Sequence, residues 1–242
     1  MKRMKVKLTA IFLMAISLLT GCLYPEQRSV ENQVPYKEQI QSVQSAIDQF
    51  RKDEGGILPI KTKPGDTPYY QKYLIDFKKL VPKYMAEPPG NSYESGGVFQ
   101  YVIIDEETNP TVKIFDIRIA QQLQDLNLRL RIYRENNSYP PFKEQLANDV
   151  FTLDFRKMGL KEDPAITSPY SGKPLPVVVN GEAELFVDYT PDLVEATQKT
   201  DKQFKSGEDI RPLLTGTSEF VPAYSLPYTI DQKTKKPIFL TK

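Results

Sequence analysis

The side chains able to do bond-making chemistry are few in this chain of 242 residues: one thiol, Cys22, no histidine, no tryptophan and many carboxylates. Without an imidazole, neither a Ser-His-Asp nor a Cys-His centre can be built. Zinc or copper held by His and Cys is excluded on the same ground. Carboxylates alone can still bind calcium or, as a pair, hydrolyse a glycosidic bond. The acids are too numerous for one pair to stand out. Two acidic clusters, Asp105-Glu106-Glu107 and Glu162-Asp163, lack the alternating ligands and the turn glycine of a calcium loop, and are expected to be solvated loops. Gly96-Gly97 precedes a strand rather than a helix, so it offers no phosphate cradle. No catalytic, cofactor-binding or metal-ligating residue is therefore assigned.

That leaves Cys22, whose surroundings are specific. Lys2, Arg3, Lys5 and Lys7 open the chain without an acid, and Leu8 to Thr20 carries no charge. A basic head followed by a short apolar run is an export signal. Thirteen residues cannot span a bilayer, which takes ~20. The run ends in Leu19-Thr20-Gly21-Cys22. This L-T-G-C resembles the lipobox of bacterial lipoproteins, and the chain as a whole resembles the small lipoproteins of Gram-positive bacilli. The resemblance implies cleavage between Gly21 and Cys22, diacylglyceryl and N-acyl groups on Cys22, and an address at the extracytoplasmic face of the cell membrane. Two or more acyl chains anchor stably where one does not. Once Cys22 is lipidated the chain has no thiol left for a disulfide, so the exported part must rest on its own core.

Charge narrows the partners. The formal charge is +1, and the four cations of the head leave the rest near −3. A weakly acidic body with a mildly basic tail is not a nucleic-acid footprint.

The elements behind these residues fall into two similar series about 72–83 residues apart. Ile40, Val43, Ile47 and Phe50 place one apolar stripe on a helix, and Leu123, Leu126, Leu130 and Tyr133 repeat the spacing. The helices break at Gly55-Gly56 and at Asn136-Asn137, residues that tolerate a left-handed turn. Pro59-Ile60-Lys61 follows the first break and Pro141-Phe142-Lys143 the second. A short helix is predicted over Tyr73–Leu80, matched by Phe151–Met158. A hairpin is predicted over Val98–Ile104 and Thr111–Ile117, and another over Leu175–Val179 and Glu182–Tyr189 around Asn180-Gly181. Thr197–Gly216 reads as a linker or covering loop, and Tyr228–Ile230 with Pro237–Leu240 as a third hairpin.

The expected organisation is α+β: a signal peptide (1–21), a tether (22–35), two tandem helix–short helix–β-hairpin repeats (36–117 and 118–195) packed together, and a C-terminal extension (196–242). The stretches Asn136 to Pro140 and Pro169 to Gly172, set between helix, short helix and hairpin, resemble the globular part of type II pseudopilins. That likeness extends to the fold of each unit alone, because pilins carry a long apolar helix where this chain carries a lipobox.

Tyrosine and proline cluster at Thr67–Tyr70, Ser168–Tyr170 and Pro222–Tyr228. Such segments stack on sugars or peptides when exposed, and stiffen loops over small cores when buried; the second role is expected here. The function expected is a lipid-anchored, non-catalytic binding or envelope-assembly module with an envelope protein, a peptide or a glycan as partner. The alternative is the substrate-binding lipoprotein of an ABC-type importer; a carboxylate hydrolase of wall glycan is the third class.

Overall fold

In a computed structural model of the chain, residues 36–241 are described. The predicted signal peptide, Gly21, Cys22 and the tether lie outside them. The fold is α+β, with helices set against several small antiparallel sheets.

Helix α1 (Tyr36–Asp53) buries Ile40, Val43, Ala46, Ile47 and Phe50, the predicted stripe, against a core that includes Tyr101 and Ile114. Glu38 in its first turn and Arg51 and Lys52 in its last complement the helix dipole. The turn out is made at Gly55 and Gly56, with φ of 64° and 95°, and the Gly56 amide closes on the Arg51 carbonyl at 2.8 Å.

The next segments correct the predicted short helix. Only the four-residue α2 (Tyr69–Lys72) is helical before it. Leu74 and Ile75 are extended: Ile75 bridges Ile60, and Leu74 bridges Val102 of strand β1 (Phe99–Ile104). Only Phe77–Lys79 turns, as one 3-10 turn whose leading Asp76 accepts the Lys78 amide. Aromatic and branched residues alternating at 73–77 favour the pleat, and a single Asp cap supports no more than a turn. Strand β2 (Thr111–Asp116) pairs with β1, with Val102 opposite Lys113.

Asp116 then caps α3 (Ile117–Asn137) by accepting the Arg118 amide at 2.8 Å. Helix α3 buries Ile119, Leu123, Leu126 and Leu130. It runs through Asn136-Asn137 and ends one residue later, where Ser138 takes the left-handed conformation predicted for an asparagine. Both asparagine amides instead donate back to carbonyls of the last turn, Ile132 and Tyr133.

Strand β3 (Phe142–Ala147) pairs with β4 (Val150–Leu153), which takes the first half of the second predicted short helix, again leaving a 3-10 turn, Phe155–Met158. After the two-residue strands β5 (Ile166–Thr167) and β6 (Pro174–Leu175), strands β7 (Val177–Asn180) and β8 (Leu185–Val187) complete a four-stranded antiparallel sheet in the order β3-β4-β7-β8. Asn180-Gly181 is not a two-residue turn. The loop is longer: Ala183 holds φ 69°, and the Asn180 side chain ties to Glu184.

The two halves show the same local bonds. Ile60 pairs with Ile75 and the Asp76 amide donates to the Pro59 carbonyl at 2.7 Å; Phe142 pairs with Leu153 and the Asp154 amide donates to the Pro141 carbonyl at 2.8 Å.

The predicted linker is also corrected. Helix α4 (Thr190–Gln198) opens with Pro191 in its first turn, and α5 (Pro212–Thr217) opens with Pro212. Leu193, Ile210 and Leu214 are buried in the second core with the α3 stripe. Pro favours a helix start because its missing N–H would be unpaired there anyway. The third hairpin forms as expected, β9 (Tyr228–Ile230) against β10 (Pro237–Phe239). Between α5 and β9, residues 219–224 form a strap. Val221 and Ala223 are buried beside Tyr70, Leu74 and Phe115, in a third cluster that joins the first half to the C-terminal segment.

Candidate functional site

The strongest polar construction lies where a turn, a helix start and the strap meet. The turn Ser168–Gly172 closes with the Gly172 amide on the Ser168 carbonyl at 3.0 Å, and Gly172 holds φ 70°. The Ser168 hydroxyl accepts the amides of Tyr170 and Ser171 at 3.0 and 3.1 Å, and donates to Asp192 Oδ2 at 2.7 Å. Ser171 donates to Asp192 Oδ1 at 2.6 Å. Asp192 sits in the first turn of α4, where a carboxylate also meets the positive end of the helix dipole. It is only 4% exposed and Ser168 3%. A carboxylate this buried persists because each oxygen is hydrogen-bonded.

Beneath this knot lies an aromatic floor. Tyr170 packs edge-on to Tyr189 with ring centres 5.9 Å apart, and its hydroxyl donates to the Phe220 carbonyl in the strap at 3.3 Å. Burial, then the neighbouring Tyr189, pushes the Tyr170 phenol well above its usual range. The Tyr189 hydroxyl donates to the Ala223 carbonyl, and the Tyr189 amide donates to the Tyr228 hydroxyl. Tyr228 in turn donates to Asp188 at 3.0 Å. Arg211, just before α5, forks onto Asp209 and lies 5.0 Å over the Tyr70 ring. Of the three Tyr-Pro clusters, Tyr70 and Tyr228 are buried and Tyr170 partly so, as expected, whereas Pro68 and Tyr69 are exposed.

Between α4 and α5 this leaves a trough of about 600 Å³, within the size range of small-ligand sites. Tyr170, Ser171 and Asp192 line its base, and Leu213 and Thr217 the α5 wall. Glu195, Lys199 and Thr200 form the opposite rim. Glu195 pairs with Lys173; that hydrogen bond lowers the Glu195 carboxyl and raises the Lys173 ammonium from their usual ranges.

A second cavity, of about 800 Å³, lies in the first half between Phe77, Val81 and Pro88, with Lys61, Asp76, Lys78 and Glu94 around it. It opens more widely to solvent; Lys61 pairs with Glu94 at 2.6 Å, and Asp76 accepts the Lys78 amide. Behind its Glu94 edge the chain turns at Gly97, where any Cβ would stand 2.1 Å from the Asn91 carbonyl oxygen.

The acidic clusters lie in exposed turns or loops. Asp105 opens the β1–β2 turn at φ 53°, where its amide donates to the Tyr69 hydroxyl, and Glu162 and Asp163 are exposed. Burial pushes the Tyr69 phenol up to about 12. Among the described residues no group of three His, Cys, Asp or Glu could hold a metal ion, and no helix is long and apolar enough to cross a membrane.

The first half has a counterpart. Residues 36–116 match the YphF family N-terminal domain. The match begins on the first residue of α1 and ends on the last of β2, about a third of the chain. It takes in the wider cavity and leaves out the trough. No curated protein and no solved structure matches the chain.

The residues that build the trough were only half visible in the sequence. Tyr170 stood in a Tyr-Pro cluster, whereas Asp192, Ser168 and Ser171 are brought together across 21–24 residues of separation. The signal that could have found Asp192 is Thr190-Pro191-Asp192, a helix start.

Proposed function

We propose that this chain is a lipid-anchored extracytoplasmic binding module, held at the membrane by Cys22, with the α4–α5 trough as its ligand site. The observation that carries the site is the buried Asp192, which Ser168 and Ser171 clamp from both oxygens beneath an open cavity. A carboxylate so committed orients a surface and is poorly placed to act as a base. With no imidazole in the chain and the one thiol at the lipobox, holding a ligand is favoured over turning it over. The body behind the trough reads as two copies of one α+β unit. The equivalent bonds from the Pro59 and Pro141 carbonyls and the two 3-10 turns support that reading.

Hydrogen exchange on the full-length lipoprotein in detergent tests the site, with and without a soluble digest of the cell envelope. Added protection at 190–200 and 211–218 is the expected result. Protection confined to other segments, or none, contradicts it.

A further inference from the structure

We propose that the trough takes a saccharide, a short stretch of uncharged glycan, rather than a peptide; this rests on the trough being the ligand site. Three features of its lining lead there.

The first is charge balance. Asp192, Glu195 and Lys199 all line it, and Lys173 pairs with Glu195. Such a surface gives neither an anion nor a cation a large advantage, and it sets a Lys ammonium beside a carboxylate. The hydroxyls of a sugar both donate and accept, and they need that mixture.

The second is the set of hydroxyls with capacity left. Thr200 Oγ accepts the Lys202 amide and Ser218 Oγ accepts the Phe220 amide, so each keeps its own proton to give. Ser171 has given its proton to Asp192 and accepts the Lys173 amide at 3.4 Å, which leaves it one lone pair to accept. These groups lie around an apolar strip made by Tyr170, Pro212 and Leu213. A sugar ring presents a C–H face to such a strip and its hydroxyls to the sides.

The third is what the walls cannot do. A peptide that binds as an added strand is held by main-chain bonds to a free strand edge. Here the walls are the short helices α4 and α5 and the turns beside them, and no strand edge is among the lining residues. A peptide would find side-chain contacts and no ladder.

Calorimetry on the full-length protein in detergent tests this with three probes: chitotetraose, maltotetraose and tetraglycine. The variant is Lys199→Ala with Thr200→Ala. Both residues are on the rim, and an unchanged melting temperature shows that the fold is kept. The expected result is saturable binding of at least one tetrasaccharide, none of tetraglycine, and at least about tenfold weaker saccharide binding in the variant. Saccharide binding that the variant leaves intact overturns the assignment to the trough. No saturable binding of either sugar at millimolar concentration overturns the saccharide class. If tetraglycine binds and the variant abolishes it, the saccharide falls while the trough stands as a ligand site.

Discussion

The backbone amides of Ile114 and Val187 donate to one strap: Ile114 to the Glu219 carbonyl at 3.0 Å, and Val187 to the Tyr224 carbonyl at 2.8 Å. Ile114 lies in β2 and Val187 in β8, and both are fully buried. The Val221 amide returns a bond to the Ile114 carbonyl, so the strap runs as a short parallel neighbour of β2. The β2 edge is thereby covered, and β8 is held to the strap by one bond, so a strand rim is paired rather than left open. The strap also receives Tyr170 through Phe220, so trough and core share one segment.

Shortening a strap side chain should therefore cost stability. Val221 is 1% exposed and sits in the cluster that joins the first half to the C-terminal segment. Val221→Ala should destabilise by about 2 kcal/mol, from lost burial and the cavity left behind. That corresponds to a fall of roughly 5 °C in melting temperature. Ile238→Ala, at a residue 43% exposed, should change it little. Equal effects of the two would contradict the strap's role.

Asp192 should prove structural before it proves anything else. Asp192→Ala leaves the buried Ser168 hydroxyl without its acceptor, which costs about 1–3 kcal/mol. Asp192→Asn keeps an acceptor and the side chain's shape, and should cost less. Urea denaturation midpoints give the order wild type, Asn, Ala; an Ala variant as stable as wild type would show that the knot holds nothing.

The stability should respond to alkali in a particular direction. Burial raises the phenols of Tyr170, Tyr189 and Tyr228, and it pushes Tyr101 up to about 12. In the unfolded chain these groups ionise near pH ~10. Up to that pH both states keep their protons and nothing is lost. Above it the unfolded state releases protons that the folded state holds, so stability falls as pH rises. With no histidine, no side chain has an ordinary pKa between about 5 and 8. Melting temperature should be nearly constant from about pH 6 to 9 and then drop, with the absorbance of the buried tyrosines rising with unfolding rather than before it. Early, non-cooperative ionisation of every tyrosine would contradict the buried placement.

Much of this fold was legible and part of it was not, for physical reasons. The α1 stripe from Ile40 to Phe50 was plain because a long amphipathic helix repeats its signal over several turns. The β1–β2 hairpin and the closing β9–β10 pair were plain for similar reasons. Tyr73–Leu80 misled because a Leu-rich stretch of eight fits a helix or a strand leading into a turn. The structure splits it at Asp76. Helices α4 and α5 were hidden by polar composition and prolines, and only tertiary burial of Leu193 and Leu214 shows why they form. The Ser168–Asp192 contact has no local signature, because it depends on a turn meeting a helix start.

The anchor makes a separate prediction. Cys22→Ala removes the thiol that would carry the lipid. The variant should leave the membrane fraction or stay as an uncleaved precursor, and gel migration should show which. A variant that fractionates and migrates as wild type does would refute the lipobox reading.

One labelling experiment tests address and site together. In the proposed anchored form the Cys22 thiol carries lipid, so Thr200→Cys would place the only free thiol of the chain on the rim of the trough. A membrane-impermeant maleimide is applied to intact cells expressing wild type or Thr200→Cys, with and without added tetrasaccharide. Wild type should stay unlabelled even after lysis, and Thr200→Cys should label promptly on intact cells and more slowly when the sugar is present. Labelled wild type, or a Thr200→Cys protein that reacts only after lysis, would contradict an anchored module with an outward-facing trough.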